Sequence, residues 1–226
     1  MITLKDIKQN DAIKAMIKAG NRHLEALGYT DHGPRHVSYV SKTARNVLKT
    51  LGYSPREMEL AAIAGWVHDV GNTINRHNHG ATGAVMLFPI LREAGLDLAD
   101  VMEIITAVGN HEEESGYVSS AVSAALVIGD KSDAHRTRVR HGKPIAYDVH
   151  DKVNFAIEMN EIQVDRKNRV IRHVLSMDES SSILEYLQIY MPRIVMCEQA
   201  ATYLNCTFDL NINGTHVNNR PLKDKE

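Results

Sequence analysis

Cysteine is nearly missing: Cys197 and Cys206 are the only two thiols in 226 residues. They exclude a disulfide framework, and neither belongs to a CxxC pair, so free thiols in a reducing compartment are expected. An excess of charge of one sign is missing too. The 26 Lys+Arg oppose 28 Asp+Glu, for a formal net charge of −2. That removes the electrostatic case for a nucleic-acid or membrane-surface partner. Long apolar runs are absent, none approaching about 18 residues, and the N-terminus is polar from Thr3 with no signal-peptide core. The expected location is cytoplasmic. There is no internal repeat and no low-complexity segment. What is present is an ordinary globular composition, 43% apolar and 24% charged, in a length that suits one domain or one domain with an appendage. The unusual feature is histidine: nine of the twelve lie between His32 and His150.

The first 140 residues read as helices. Residues 4–27 form a loosely periodic helix ending at Gly28. A second helix starts near Gly33-Pro34, carries Val37, Val40, Ala44, Val47, Leu48 and Leu51 at steps of three and four, and stops at Gly52. Ser54-Pro55-Arg56-Glu57 is a capping box opening a helix that runs toward Gly71. After a polar loop, helices are expected over 79–94, with Pro89 as a kink or break, and over 98–111 and 120–135. The texture changes at the breaker cluster His141-Gly142-Lys143-Pro144. Segments 153–165 and 170–178 alternate like a hairpin, 179–204 reads as a long helix, and 206–213 as a last strand, with a frayed tail over 214–226. The expected architecture is therefore mainly α: a helical unit over 1–142 and a small α+β extension over 143–226. The long helix has two candidate uses, a homodimer interface or packing against the hairpin.

Placed on these helices, several polar residues fall on apolar stripes. His36 is four before Val40, His68 four after Ala64, His111 three after Val108, and Asp130 four after Leu126. His79 opens its helix in line with Gly83 and Leu87, and Asp69 follows His68. Any one inward imidazole is explained by a bond to a backbone carbonyl, and Asp130 by a salt bridge. Several inward imidazoles together with two carboxylates make a poor core without a shared counter-charge, which a metal cation supplies. The donors suit Fe, Mn, Zn, Co or Ni rather than Mg or Ca alone.

The order His36, His68-Asp69, His79, His111, Asp130 resembles the HD-domain superfamily of metal-dependent phosphohydrolases. The core H…HD…D pattern falls on His36, His68, Asp69 and Asp130, and the two further histidines of its dinuclear branch fall on His79 and His111. The contexts Asp31-His-Gly-Pro-Arg-His36, Trp66-Val-His-Asp-Val-Gly71, His79-Gly-Ala-Thr-Gly83 and Ile128-Gly-Asp-Lys131 support it. The likeness covers about residues 30–140. It extends to bacterial HD proteins of unassigned substrate that continue with Lys-Ser-Asp-Ala-His-Arg136 and a C-terminal extension. His77 competes with His79, which is preferred because Gly80 follows it. Asn72 replaces a common Lys, and the signatures of alarmone hydrolases and cyclic-di-GMP phosphodiesterases are absent.

The resemblance implies a helical HD bundle hydrolysing a phosphate ester of a small metabolite or nucleotide with a hydroxide bridging two divalent metals, Fe or Mn first, with Zn, Co and Ni as alternatives. Asp69 would be the bridging ligand. For the phosphate, Lys131 and Arg136 are the candidate catalytic and binding cations, with Asp133 orienting one of them and Arg35 beside the first ligand. Arg138 and Arg140 are weaker candidates. Glu112, Glu113 and Glu114 read as a solvated charge run, and His135, His141 and His150 as surface or loop residues. The same ligands would also serve a mixed-valent di-iron oxygenase, and a non-catalytic ligand-binding module is the third class.

Overall fold

The computed structural model describes residues 1–140 and 149–218. The breaker cluster at 141–144 and the boundary placed at 142 lie outside them. The helices are α1 (Leu4–Gln9), α2 (Asp11–Ala26), α3 (Pro34–Leu51), α4 (Pro55–Val67), α5 (His79–Glu93), α6 (Leu98–Gly109) and α7 (Ala121–Lys131). Then follow α8 (Val149–Ala156), β1 (Ile157–Asp165), β2 (Val170–Met177), α9 (Ile183–Tyr203), β3 (Thr207–Ile212) and β4 (Thr215–His216). The fold is mainly α with a small α+β unit toward the C-terminus.

Helix α4 is the axis of the bundle. Leu60 through Gly65 and Val67 are all buried, so this helix has no solvent face over its second half. It is packed by α3, α6 and α7. Its start is set as the sequence suggests, by the Ser54–Glu57 capping box with Pro55 in the first turn. Helix α3 buries His36, Val37, Val40, Ala44, Val47 and Leu48, and ends at Gly52 in a left-handed conformation (φ 88°).

Several expectations are corrected. The helix over 4–27 is two helices, because the Asn10 side chain accepts from the Ile13 amide and caps α2. Pro89 does not break α5: it is exposed, as are Val85 and Phe88, so the carbonyl it leaves unpaired faces solvent. Residues 153–156 are helical. The alternation of Val153, Phe155 and Ile157 suggests a strand, but Asn154 anchors this helix to the rest of the fold, accepting from the Tyr190 hydroxyl (3.0 Å) and the His135 amide (3.1 Å). Residues 215–216, expected in the frayed tail, pair with β3.

The sheet order is β1-β2-β3-β4. β1 and β2 are the expected antiparallel hairpin, while β2 and β3 are parallel, joined through α9 as the crossover. Helix α9 packs against both β3 and α7, and one hydrophobic cluster runs from Ile7 to Ile212. The C-terminal unit therefore shares the core of the helices that carry the candidate ligands.

His173 lies on the buried face of β2, with Nε2 donating to Asn160 Oδ1 (2.8 Å). Burial holds its pKa down at about 4. The unfolded chain takes up this proton first, so the stability it confers is present above about pH 6.5 and lost as pH falls toward 4. The expected loss is about 3 kcal/mol at full protonation. In urea titrations at pH 7 and pH 4.5, His173→Gln should show a smaller acid penalty than the wild type; equal penalties would refute the assignment.

Candidate metal centre

The six residues of the histidine–aspartate pattern come together, each from the end of a helix. His36 is in the first turn of α3, His68 caps the C-terminus of α4, and His79 opens α5. His111 follows the last residues of α6, and Asp130 is next to last in α7. His68 and Asp69 do not face the centre from a continuous helix. Helix α4 stops at Val67, and Asp69 takes φ −94°, ψ 4°, turning the chain into a short 3-10 segment, Val70–Thr73. Here glycine is required, since a Cβ on Gly71 would overlap the His79 carbonyl oxygen.

The donor atoms form two groups sharing one carboxylate. His36 Nε2 lies 3.2 Å from His68 Nε2, and both face Asp69 Oδ2 (3.5 and 3.4 Å) and Asp130 Oδ1 (3.4 and 3.6 Å). On the other side His79 Nε2 and His111 Nε2 are 3.1 Å apart and lie 3.2 and 3.9 Å from Asp69 Oδ1. Donors bound to one transition metal at about 2.0–2.2 Å sit about 2.8–3.6 Å from one another in tetrahedral or cis-octahedral arrangement. In the first group the two imidazoles have those spacings to each other and to both carboxylates. In the second, only the His111–Asp69 distance is longer.

The tautomers point the same way. Each imidazole donates through Nδ1: His68 to the Gly65 carbonyl (3.0 Å), His79 to that of Arg76 (2.9 Å), His111 to that of Val108 (2.6 Å), and His36 to Asp133 Oδ2 (2.7 Å). Neutral rings anchored in this way turn Nε2 lone pairs inward. Lone pairs that close repel unless a cation lies between them. Asp69 Oδ2, moreover, is buried with no hydrogen-bond donor among the described residues, whereas Oδ1 receives one from Asn72 Nδ2 (2.9 Å). A buried unpaired carboxylate oxygen facing imidazole nitrogens is what a divalent transition metal satisfies, so the residues fit such an ion.

Burial opposes charge on every group, but for Asp69 it is outweighed by His68 and the other imidazoles, which hold the carboxyl well below its usual range. Asp130 is held down likewise, by Lys131 first. His68 is lifted against burial to about 10 by Asp69 and Asp130, while burial and the neighbouring His79 and His68 push His111 down to about 3.

Around this centre the other candidates divide. Lys131 is buried beside it, with Nζ 2.7 Å from Asp130 Oδ2 and 3.1 Å from Glu113 Oε1. Asp133 lies behind His36, accepting from its Nδ1 and from Arg35 Nη1 (2.7 Å to Oδ1), with Arg138 Nε 3.7 Å away. Arg136 is not brought to the donors: it pairs with Glu158 (3.2 Å) and Asp178 (2.7 Å) and lies over Phe155. His77 is exposed, and His79 occupies the centre.

Some functional neighbours are not foreseen. Glu112 and Glu113 are not a solvated run. Glu112 accepts from the Gly80 amide (2.6 Å) and faces His79 Nδ1 (3.1 Å), and Glu113 also meets Arg193 Nε (3.2 Å). Both carboxyls fall to about 2, against burial, under His79 and Lys131 respectively. Arg193 comes from α9, three residues after buried Tyr190 and four before buried Cys197. A charged residue at that spacing was the available signal.

The scaffold and its centre define a helical protein whose clustered histidines and aspartates could hold a metal ion. A model of the HD domain matches residues 35–153, more than half of the chain and all six donors. The chain belongs to the HD-domain family. It is 25% identical over 200 residues to the uncharacterized protein MJ1020 of Methanocaldococcus jannaschii, covering 76% of this chain and 75% of that one. It is also similar to a predicted HD superfamily hydrolase of known crystal structure from an uncultured Thermotogales bacterium, with a TM-score of 0.44 and 19% identity over 55% of this chain and 67% of that one. Among the described residues no helix is long and apolar enough to cross a membrane.

Asp133 supplies a direct test of this geometry. Asp133→Ala removes the acceptor that orients His36, and the expected outcome is a loss of metal affinity of about 10–100-fold in a metal titration. Unchanged metal affinity with a raised KM would instead make Asp133 a substrate contact. Gly71→Ala should displace His79 and destabilise the fold by about 1–3 kcal/mol, read from its urea midpoint.

Proposed function

We propose that this protein is a metal-dependent hydrolase of phosphate esters, acting on a small phosphorylated metabolite or nucleotide with two divalent transition metals, Fe or Mn before Zn, Co or Ni. The observation that carries this reading is the Asp69 carboxylate, which turns one oxygen to the His36–His68 pair and the other to the His79–His111 pair. His36, His68, Asp130 and Asp69 Oδ2 would hold one metal, and His79, His111 and Asp69 Oδ1 the other. Ions held there would supply Lewis acidity and a water made acidic enough to attack near neutral pH.

The protein's own groups account for the rest. The Nδ1 anchors keep the four rings in the metal-binding tautomer. Lys131 has three N–H donors, of which Asp130 and Glu113 engage two; the third would meet a phosphoryl oxygen. Arg35 and Asp133 support His36 from behind. Arg136 joins the 136–138 turn to the sheet and is assigned no part in the reaction.

Elemental analysis of the purified protein, with phosphomonoester and phosphodiester panels under Mn, Fe, Co and Ni, tests the reading. Two metals per chain are expected, falling toward one in His79→Ala and His111→Ala, with turnover of at least one ester. One metal in the fully loaded wild type would end the dinuclear assignment. Oxygen uptake with a candidate substrate, and no ester cleaved, would favour oxygenase chemistry instead.

A further inference from the structure

We propose that Arg76 binds the phosphoryl oxygens of the substrate on the His79–His111 side of the centre; this rests on the phosphate-ester reading above. Arg76 lies in the loop between the Val70–Thr73 turn and α5. It is half-buried, while Ile74, Asn75, His77 and Asn78 around it are exposed. Its backbone is tied to the centre, because its carbonyl accepts the His79 Nδ1 hydrogen (2.9 Å). Its side chain reaches round to the inner face of the same ring, with Nη1 3.4 Å from His79 Nε2 and 3.4 Å from Asn72 Oδ1. The guanidinium carbon is 5.7 Å from the centroid of the Tyr29 ring, which steadies the group from one side.

Charge pairing separates this cation from its neighbours. Lys131 meets Asp130 and Glu113, Arg193 meets Glu113, and Arg35 and Arg138 meet Asp133. Among the described residues, Arg76 alone of the cations touching the centre or its supports has no carboxylate within ion-pair distance. Its two polar contacts are both at the outer limit of hydrogen bonding, so most of its five N–H donors are unspent. A guanidinium beside nitrogens that gather cations is repelled once they are loaded, unless an anion joins the two. The planar fork matches two oxygens of a phosphate group, and its place at the rim admits a ligand from solvent. The ligand chemistry is therefore a phosphate oxyanion shared between the metal-bearing face of His79 and Arg76.

The test uses the full-length, metal-loaded protein and the variants Arg76→Gln and Arg76→Lys. Metal equivalents, calorimetric affinity for inorganic phosphate, and KM and kcat for a phosphate ester cleaved by the wild type are measured for each. Arg76→Gln should keep its metals, bind phosphate about tenfold or more weakly, and raise KM by a similar factor with a smaller change in kcat. Arg76→Lys should recover part of the phosphate affinity. Wild-type phosphate affinity and KM in Arg76→Gln would overturn the proposal while leaving the hydrolase reading intact. Loss of metal from Arg76→Gln would also overturn it, making Arg76 a support for His79. A loaded wild type that neither binds phosphate nor cleaves any ester would end both readings.

Discussion

A buried carboxylate facing imidazole nitrogens governs this molecule. Asp69 cannot be left ionised in the core without a compensating positive charge, and among the described residues one of its oxygens, Oδ2, has no hydrogen-bond donor. Everything nearby serves that requirement. Helix α4 ends at Val67 with His68 still helical as its cap, and the chain leaves the helix path at Asp69, so that both His68 and Asp69 reach the centre. The following 3-10 turn runs so close to α5 that only glycine fits at position 71. The bundle arranges helix ends, where backbone direction changes, around one point.

The rings are oriented by two different devices. For His68, His79 and His111 the Nδ1 acceptor is the carbonyl three residues earlier, so each ring is set by its own local chain. For His36 it is Asp133, which is itself held by Arg35 and faced by Arg138. A local anchor survives changes elsewhere in the fold, whereas the His36 anchor depends on the docking of the segment after α7. On the opposite flank the chain of charge Asp130–Lys131–Glu113–Arg193 runs from a ligand helix into α9. The C-terminal unit thereby helps to balance the charge of the centre as well as sharing its core.

The centre was legible where it interrupts a regular pattern. His36, His68, His111 and Asp130 stand out because an apolar stripe predicts something else at those positions. The inward placing of half-buried Asp130 and the convergence of the helices followed from the same periodicity. What escaped has equally physical reasons. Glu112 and Glu113 sit in a run of three glutamates, which in water is an ordinary solvated segment; only the arrival of His79 and the Gly80 amide beside Glu112, and of Lys131 and Arg193 beside Glu113, offsets their partial burial. Arg76 lies in an aperiodic loop, where no spacing rule points inward. The parallel pairing of β2 with β3 depends on where α9 packs, and α8 on contacts made by Asn154, none of which alternation within a segment can report.

The separation of the parts along the chain has a consequence for how the centre comes into being. His36 and its anchor Asp133 are 97 positions apart, and Arg193 comes later still. The centre is a product of high contact order: no nascent fragment lacking α7 carries a complete donor set, and none lacking α9 carries its charge balance. A complete donor set therefore exists only once the bundle has closed, so an ion that needs all of these donors would be held by the finished fold rather than by a flexible chain.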